Sequence, residues 1–301
     1  MANSYLLPGA TSLAASASNW SDTNGINATN ATCFIQSGTQ TITGGLAVSI
    51  ATGINNLDIL PGFSGAIGGS AGSLAVETDS ASYNPSTQIP RIRYNAGGGS
   101  MYYTAEGAGG AANVCDYAQL SGSGSMFITG TCTVKRVEVQ SGRLYVGPNV
   151  GSVATYRWVL SGGTSTIDGI SGSTKIHAIT VAGGQHILKK GIQGSTLAST
   201  GFVEGLNVCD GQVTIDAYGE TISDLRMYGG YVTVVNCGTI AVISGYAGTL
   251  DFSKLQRPVT VTLLEDAPGL TVIPSKLLTI TTYSGATNGR QPIGSGADGL
   301  T

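Results

Sequence analysis

Hydrolysis of a glycosidic bond takes two carboxyl groups about 5 to 10 Å apart on one face of a scaffold, one as acid and one as base or nucleophile. The densest supply in this sequence is Asp210, Asp216 and Asp224. Asp210 precedes Gly211 in an Asp-Gly turn signal, where a carboxylate serves its own backbone. Asp116, Glu138 and Asp168 are spread more widely and read as solvated residues on strand faces. His177 and His186 stand nine residues apart. The segment around His177 offers no third ligand and no orienting carboxylate, so metal binding or proton transfer would lack its partners. No nucleophile elbow, zinc-protease helix or phosphate-binding loop pattern occurs, and the Gly-x-Gly strings precede no helix. Residues 294–300 hold one degenerate copy of a calcium-binding nonapeptide, and a stacked calcium site needs several. The sequence therefore predicts no catalytic residue, no cofactor and no metal site.

Five cysteines, Cys33, Cys115, Cys132, Cys209 and Cys237, are an odd number at wide spacing with no C-x-x-C pair. Buried, reduced thiols are the expectation, because free cysteine is among the most buried residue types. The sequons at Asn19, Asn27 and Asn30 would matter only in a secreted eukaryotic protein.

Of 301 residues 46 are glycine, and charged residues make up 10% against a usual ~25%. An apolar fraction of 41% is too high for a disordered chain, and the glycines show no collagen period. A folded, turn-rich β protein is what remains. Net charge is −3 with Lys and Arg scattered singly, so no basic stripe is available to neutralise phosphates and nucleic acid is not an expected partner. The start lacks a basic, apolar leader, and no apolar run is long enough to span a bilayer, which leads us to expect folding in a cytoplasm and no membrane partner.

One pattern returns along most of the chain: two alternating apolar positions, a turn with glycine, then two more. Val137-Glu-Val139-Gln-Ser-Gly142-Arg-Leu144-Tyr-Val146 sets it, and Leu206-Asn-Val208-Cys-Asp-Gly211-Gln-Val213-Thr-Ile215 and Leu225-Arg-Met227-Tyr-Gly-Gly230-Tyr-Val232-Thr-Val234 are clean copies. A further copy runs from Ile179 through Gly184 to Ile187 and Leu188. Glycines 124, 142, 163, 184, 211, 230 and 248 step by 18, 21, 21, 27, 19 and 18 residues. Side chains alternate along a strand. The pattern thus predicts Leu144, Val181, Val213 and Val232 inside, and Arg143, Gln185, Gln212 and Thr233 outside. A stripe so small is buried only when coils stack at about 4.8 Å. The expected fold is an all-β, right-handed parallel β-solenoid with irregular coils and extended terminal segments. A β-sandwich also alternates, but it does not return glycine to one column of a 20-residue frame.

The organisation follows: an N-terminal arm or cap over 1–30, irregular coils with insertions over 31–118, regular coils over 119–274, and a C-terminal tail or arm over 275–301. The 27-residue step places an outward insertion at 191–200. The two ends lack a core of their own and are expected to order against something else.

A glycine- and serine-rich, charge-poor β-solenoid with such ends resembles tailed-phage virion proteins, most of all the decoration or cement proteins of the capsid. The resemblance is one of class, carried by the repeat between 30 and 275 and by the composition of the ends. It implies a virion location after synthesis in the host cytoplasm, no enzymatic activity, the major capsid protein or other virion proteins as partners, and self-association as a homotrimer. The anchors expected for such assembly contacts are Leu6, Leu7, Leu13 and Trp20 at one end, with Leu277, Tyr283 and Ile293 at the other. The alternative is a tailspike, fibre or adhesin reading a cell-surface glycan through outward tyrosines, of which Tyr102, Tyr103, Tyr145, Tyr156, Tyr228 and Tyr231 are the candidates. A polysaccharide lyase or hydrolase ranks below both, for want of a carboxylate and Arg/Lys constellation.

Overall fold

The computed structural model describes residues 3–13, 18–21, 31–44, 47–49, 54–70, 74–78, 91–107, 114–130, 132–147, 150–151, 157–168, 177–189 and 205–285. Among them every regular element is a strand. The strands pair in parallel, each with its counterpart one repeat later, which makes the chain a β-solenoid. It divides into two units, Met1–Gly151 and Ser152–Thr301.

In the first unit Asn3–Tyr5, Ala31–Gly38, Ile54–Phe63, Arg91–Tyr94, Val114–Leu120 and Cys132–Val139 stack in that order as one sheet. A second sheet stacks Thr41–Ile42, Ala66–Ile67, Ser100–Gly107, Ser125–Ile128 and Arg143–Val146. Ala47–Ser49, Leu74–Thr78 and the far half of Ser100–Gly107 begin a third. Alternation decides which residues go in. Leu57, Ile92, Ala118 and Val137 are in register and buried, as are Ile59, Tyr94, Leu120 and Val139 two residues on. Such in-register stripes, each worth about 25 cal/mol per Å² of apolar surface removed from water, are what hold consecutive coils together.

The second unit repeats the plan with three sheets per coil. Ile179–Val181 pairs with Leu206–Val208, and Leu225–Met227 with Ile243–Gly245 and then Leu264–Asp266. Past the glycine turn, Thr164–Ile167, Gln185–Leu188, Gln212–Ile215 and Tyr231–Val234 form the second sheet. Thr221–Ile222, Thr239–Ile240, Thr260–Val261 and Thr279–Ile280 form the third. Leu206–Met227 and Tyr231–Asp251 are continuous strands of 22 and 21 residues. They turn corners through register shifts, at Ala217/Thr221 and Gly245/Ala247, as bulges allow.

Leu144, Val181, Val213 and Val232 are buried, and Arg143, Gln185 and Gln212 are exposed, while Thr233 is half-buried. The glycine column has a backbone cause. Gly211 and Gly230 have φ of +84° and +74°, a region that residues with a Cβ rarely enter. A Cβ on Gly230 would lie 2.8 Å from the carbonyl of Gly211 on the coil before it.

The N-terminal segment closes the first coil. Asn3–Tyr5 adds a strand beside Thr32–Phe34, Leu6 bridges Trp20 in antiparallel sense, and Ser12 bridges Gly44. Leu6, Leu13 and Trp20 are buried there. A covered edge offers no template for pairing with another chain.

Candidate functional site

The sheets place outward side chains in rows one coil apart, and several carboxylates take part in coil-to-coil contacts along those rows. Asp216 accepts from Asn236 Nδ2 at 2.7 Å, Asp251 from the Tyr231 hydroxyl at 2.8 Å, and Glu265 from Ser244 Oγ at 2.8 Å. Asp266 accepts from the Tyr283 hydroxyl at 3.0 Å. Asp210 accepts from the amide of Gly211 at 2.7 Å, the local bond that the Asp-Gly turn implied. Asp224 is buried and accepts from Arg226 Nε at 2.9 Å. Burial pushes its carboxyl above the usual range, the nearby Glu265 adds to the rise, and Arg226 opposes it. The three aspartates of the nearest sequence cluster are thus held by three different partners in three settings. Among the described residues no three His, Cys, Asp or Glu side chains converge as metal ligands.

His186 faces the core, with Nδ1 2.9 Å from Ser165 Oγ and Nε2 2.7 Å from the carbonyl of Gly183. It occupies the inward row with Val213, whereas Ile187, an apolar position of the repeat, points outward at 40% exposure. The strand period, with Gln185 outward, decides this assignment against side-chain polarity. Cys33 and Cys237 are free and buried, and burial pushes both thiols up to about 12. Cys209 is free but exposed, a correction to the expectation of burial. It precedes the Asp210-Gly211 corner within Leu206–Met227, one residue after buried Val208, and alternation sends its side chain out. The side chains of Cys115 and Cys132 lie outside the description.

Of the tyrosines expected to face outward, Tyr103 is buried and Tyr156 lies outside the described residues. Tyr102 stacks on Phe127 at 4.5 Å, and Phe127 meets Tyr145 at 6.1 Å with ring planes tilted by 48°. Tyr228 and Tyr246, 47% and 54% exposed, stack at 5.1 Å with ring planes 4° apart. Tyr246 was not foreseen; it lies one coil from Tyr228, a relation that register reveals and spacing alone does not.

Among the expected assembly anchors, Leu6, Leu13 and Trp20 have their apolar surface covered within the chain, and Leu7 is half-buried. Leu277 and Tyr283 are 36% and 37% exposed, as is the nearby Ile273 at 36%. Ile293 lies outside the described residues.

The first unit carries a polar face that sequence reading missed. Asn56, Arg91, Tyr117 and Arg136 stand in register on four consecutive strands of one sheet, and Asp58, Arg93, Gln119 and Glu138 form the row beside them. Arg93 pairs with Asp58 through two bonds, 2.7 and 2.5 Å. The Tyr117 hydroxyl donates to Glu138 at 2.5 Å, and Gln140 Nε2 donates to the same carboxylate at 2.6 Å. Burial and the bond to Glu138 push the Tyr117 phenol up to about 12. Compared with protein-family models, with curated proteins and with solved structures, the chain matches none at a significant level.

Proposed function

We propose that this chain is a virion structural protein that acts by rigid contact and performs no catalysis, with capsid decoration as its place. The supporting observation is the use of its carboxylates. Asp58, Glu138, Asp210, Asp216, Asp224, Asp251, Glu265 and Asp266 each accept from a neighbouring group of the same solenoid. A hydrolase would instead aim two of them at one bond. Six of these contacts, all but those of Asp210 and Asp224, join adjacent coils and stiffen them, as suits a protein that holds a shell by its surface. The coils wind to the right in this reading, the hand that parallel crossovers overwhelmingly adopt.

The protein contact is assigned in this reading to Leu277 and Tyr283, exposed as is Ile273 near them in sequence, since apolar and aromatic side chains are enriched at interface centres. The partners in this proposal are the major capsid protein and further copies of the chain in a homotrimer. The test is co-sedimentation of the full chain with particles that lack it. A Leu277→Ser/Tyr283→Ser double variant should melt within a few degrees of the parent yet bind at least about tenfold more weakly, as loss of interface anchors does. Undiminished binding by the variant would overturn the assignment of these anchors, and no binding by the parent would overturn the capsid role.

A further inference from the structure

We infer that the third sheet of the second unit is an ice-binding face, whose ligand is the ordered surface of an ice crystal. The inference is independent of the virion reading and is tested by separate measurements. Its residues come together through register. Thr221, Thr239, Thr260 and Thr279 pair in order on four consecutive strands. Two residues on, Ser223, Ala241, Thr262 and Thr281 form a second row. Their neighbours on both sides fix it, with Ile222, Ile240, Val261 and Ile280 paired before them and Asp224, Val242, Leu263 and Thr282 after. Every one of these eight positions except Ala241 carries a hydroxyl, and every hydroxyl except that of Ser223 belongs to threonine.

Both rows face outward and are regular. Ile222, Ile240, Val261 and Ile280, which separate them, are buried, so alternation turns the residues on either side to the surface. Thr221, Thr262, Thr279 and Thr281 are exposed, and the other four are half-buried. The register shifts between these strands fall at Ile215/Asp216, Ala217/Thr221 and Gly245/Ala247, none of them within the two rows. The array therefore repeats at about 4.8 Å from coil to coil and about 6.7 Å along each strand.

Those two repeats, at right angles to each other, lie close to the repeats of oxygen positions in the ice lattice. Each water of that lattice donates two hydrogen bonds and accepts two. A hydroxyl donates one and accepts up to two, so it can stand where a lattice water would. The branched Cβ of threonine restricts χ1, which sets the row in one orientation before ice arrives and leaves little ordering to be offset on binding. The γ-methyl groups fill the space between hydroxyls with apolar surface. A charged group here would hold its own hydration shell against the lattice, and none of the eight residues is charged. The carboxylate nearest in sequence, Asp224, is buried. The rows carry no cation for a phosphate and no ring on which a sugar could stack.

The experiment grows ice slowly from a dilute solution of the full chain and measures the fraction of protein taken into the ice, with crystal shape and thermal hysteresis read on a nanolitre osmometer. The parent should enter the ice and facet the crystals. T260K/T262K sets two ammonium groups in the middle of the array, and Gln212→Lys sets one on another sheet, at an exposed position. T260K/T262K should lose at least about fivefold in uptake, the effect of removing several hydrogen-bonding positions, and Gln212→Lys should match the parent. If T260K/T262K melts well below the parent, Thr262→Lys alone, at an exposed position, takes its place with the same expected loss. A parent excluded from the ice, or uptake unchanged by lysine in the array, would overturn the inference. An equal loss in Gln212→Lys would also overturn it, by showing that uptake follows surface charge and not the threonine rows.

Discussion

Oγ of Ser165 lies 2.9 Å from Nδ1 of His186, its register partner on the adjacent coil, inside the core of the second unit. Nε2 of the same ring is 2.7 Å from the Gly183 carbonyl. A carbonyl only accepts, so Nε2 carries the proton and Nδ1 accepts from the serine hydroxyl. Burial holds the imidazole pKa below its ordinary value, with the Gly183 bond opposing in part. The fold therefore prefers the neutral ring, and the unfolded chain binds the proton more tightly. This contribution to stability is complete above about pH 6.5 and declines as pH falls below it. Asp224, whose pKa is raised, acts in the opposite sense, so the comparison must be made against a variant. His186→Gln should remove the histidine part of the loss between pH 7 and 5 in urea melts; an unchanged slope would refute the assignment.

The alternation predicts a large asymmetry between neighbours on one strand. Ile215 is wholly buried and Gln212 exposed. Ile215→Ala should cost about 2 to 5 kcal/mol, and Gln212→Ala within about 0.5 kcal/mol, both from chemical denaturation. Similar costs would contradict the inward and outward assignment.

Gly230→Ala should destabilise by more than about 1 kcal/mol, because the new methyl meets both a positive φ and the carbonyl of Gly211. Gly219→Ala is the control: its φ is +77° but its Cβ would meet nothing within 4 Å. Gly230→Ala should therefore be the costlier of the two in a thermal melt, and the reverse order would remove the packing part of the argument.

The same turn column accounts for how far the sequence could be read. Glycine recurs where the backbone needs positive φ, so the solenoid, its coil length and most inward positions were legible from Gly142, Gly184, Gly211, Gly230 and Gly248 together with their apolar neighbours. The histidine at 186 was less so, since a polar residue in an inward position is settled by the parity of the strand and by a partner, Ser165, supplied from another coil. The segment of Trp20 and Leu6 was legible only as an arm or a cap, because it has no repeat; the antiparallel bridge between the two residues uses a pairing that periodicity does not encode. Arg91, Tyr117 and Arg136 were invisible as a group because the coils joining them differ in length, and only the register places them side by side.

Thiol chemistry gives a separate check on which strand positions face in and which face out. Cys209 is exposed, while Cys33 and Cys237 are buried with thiols pushed up to about 12. The thiolate is the form that reacts. Iodoacetamide at pH 8 should modify Cys209 in the native protein well before the other two, as read by peptide mapping, and Cys209→Ser should remove the fast-labelled peptide. Rapid modification of Cys237 in the native state would mean that its coil is not packed as described.

The claim that most needs direct measurement is the structural role itself. Quantitative mass spectrometry of purified particles from the source compares this chain with the major shell subunit. The account predicts a copy number on the scale of that subunit, in a fraction that remains after the particles are washed at high salt. Absence from the particles, or a level of only a few copies for each one, would contradict a capsid role.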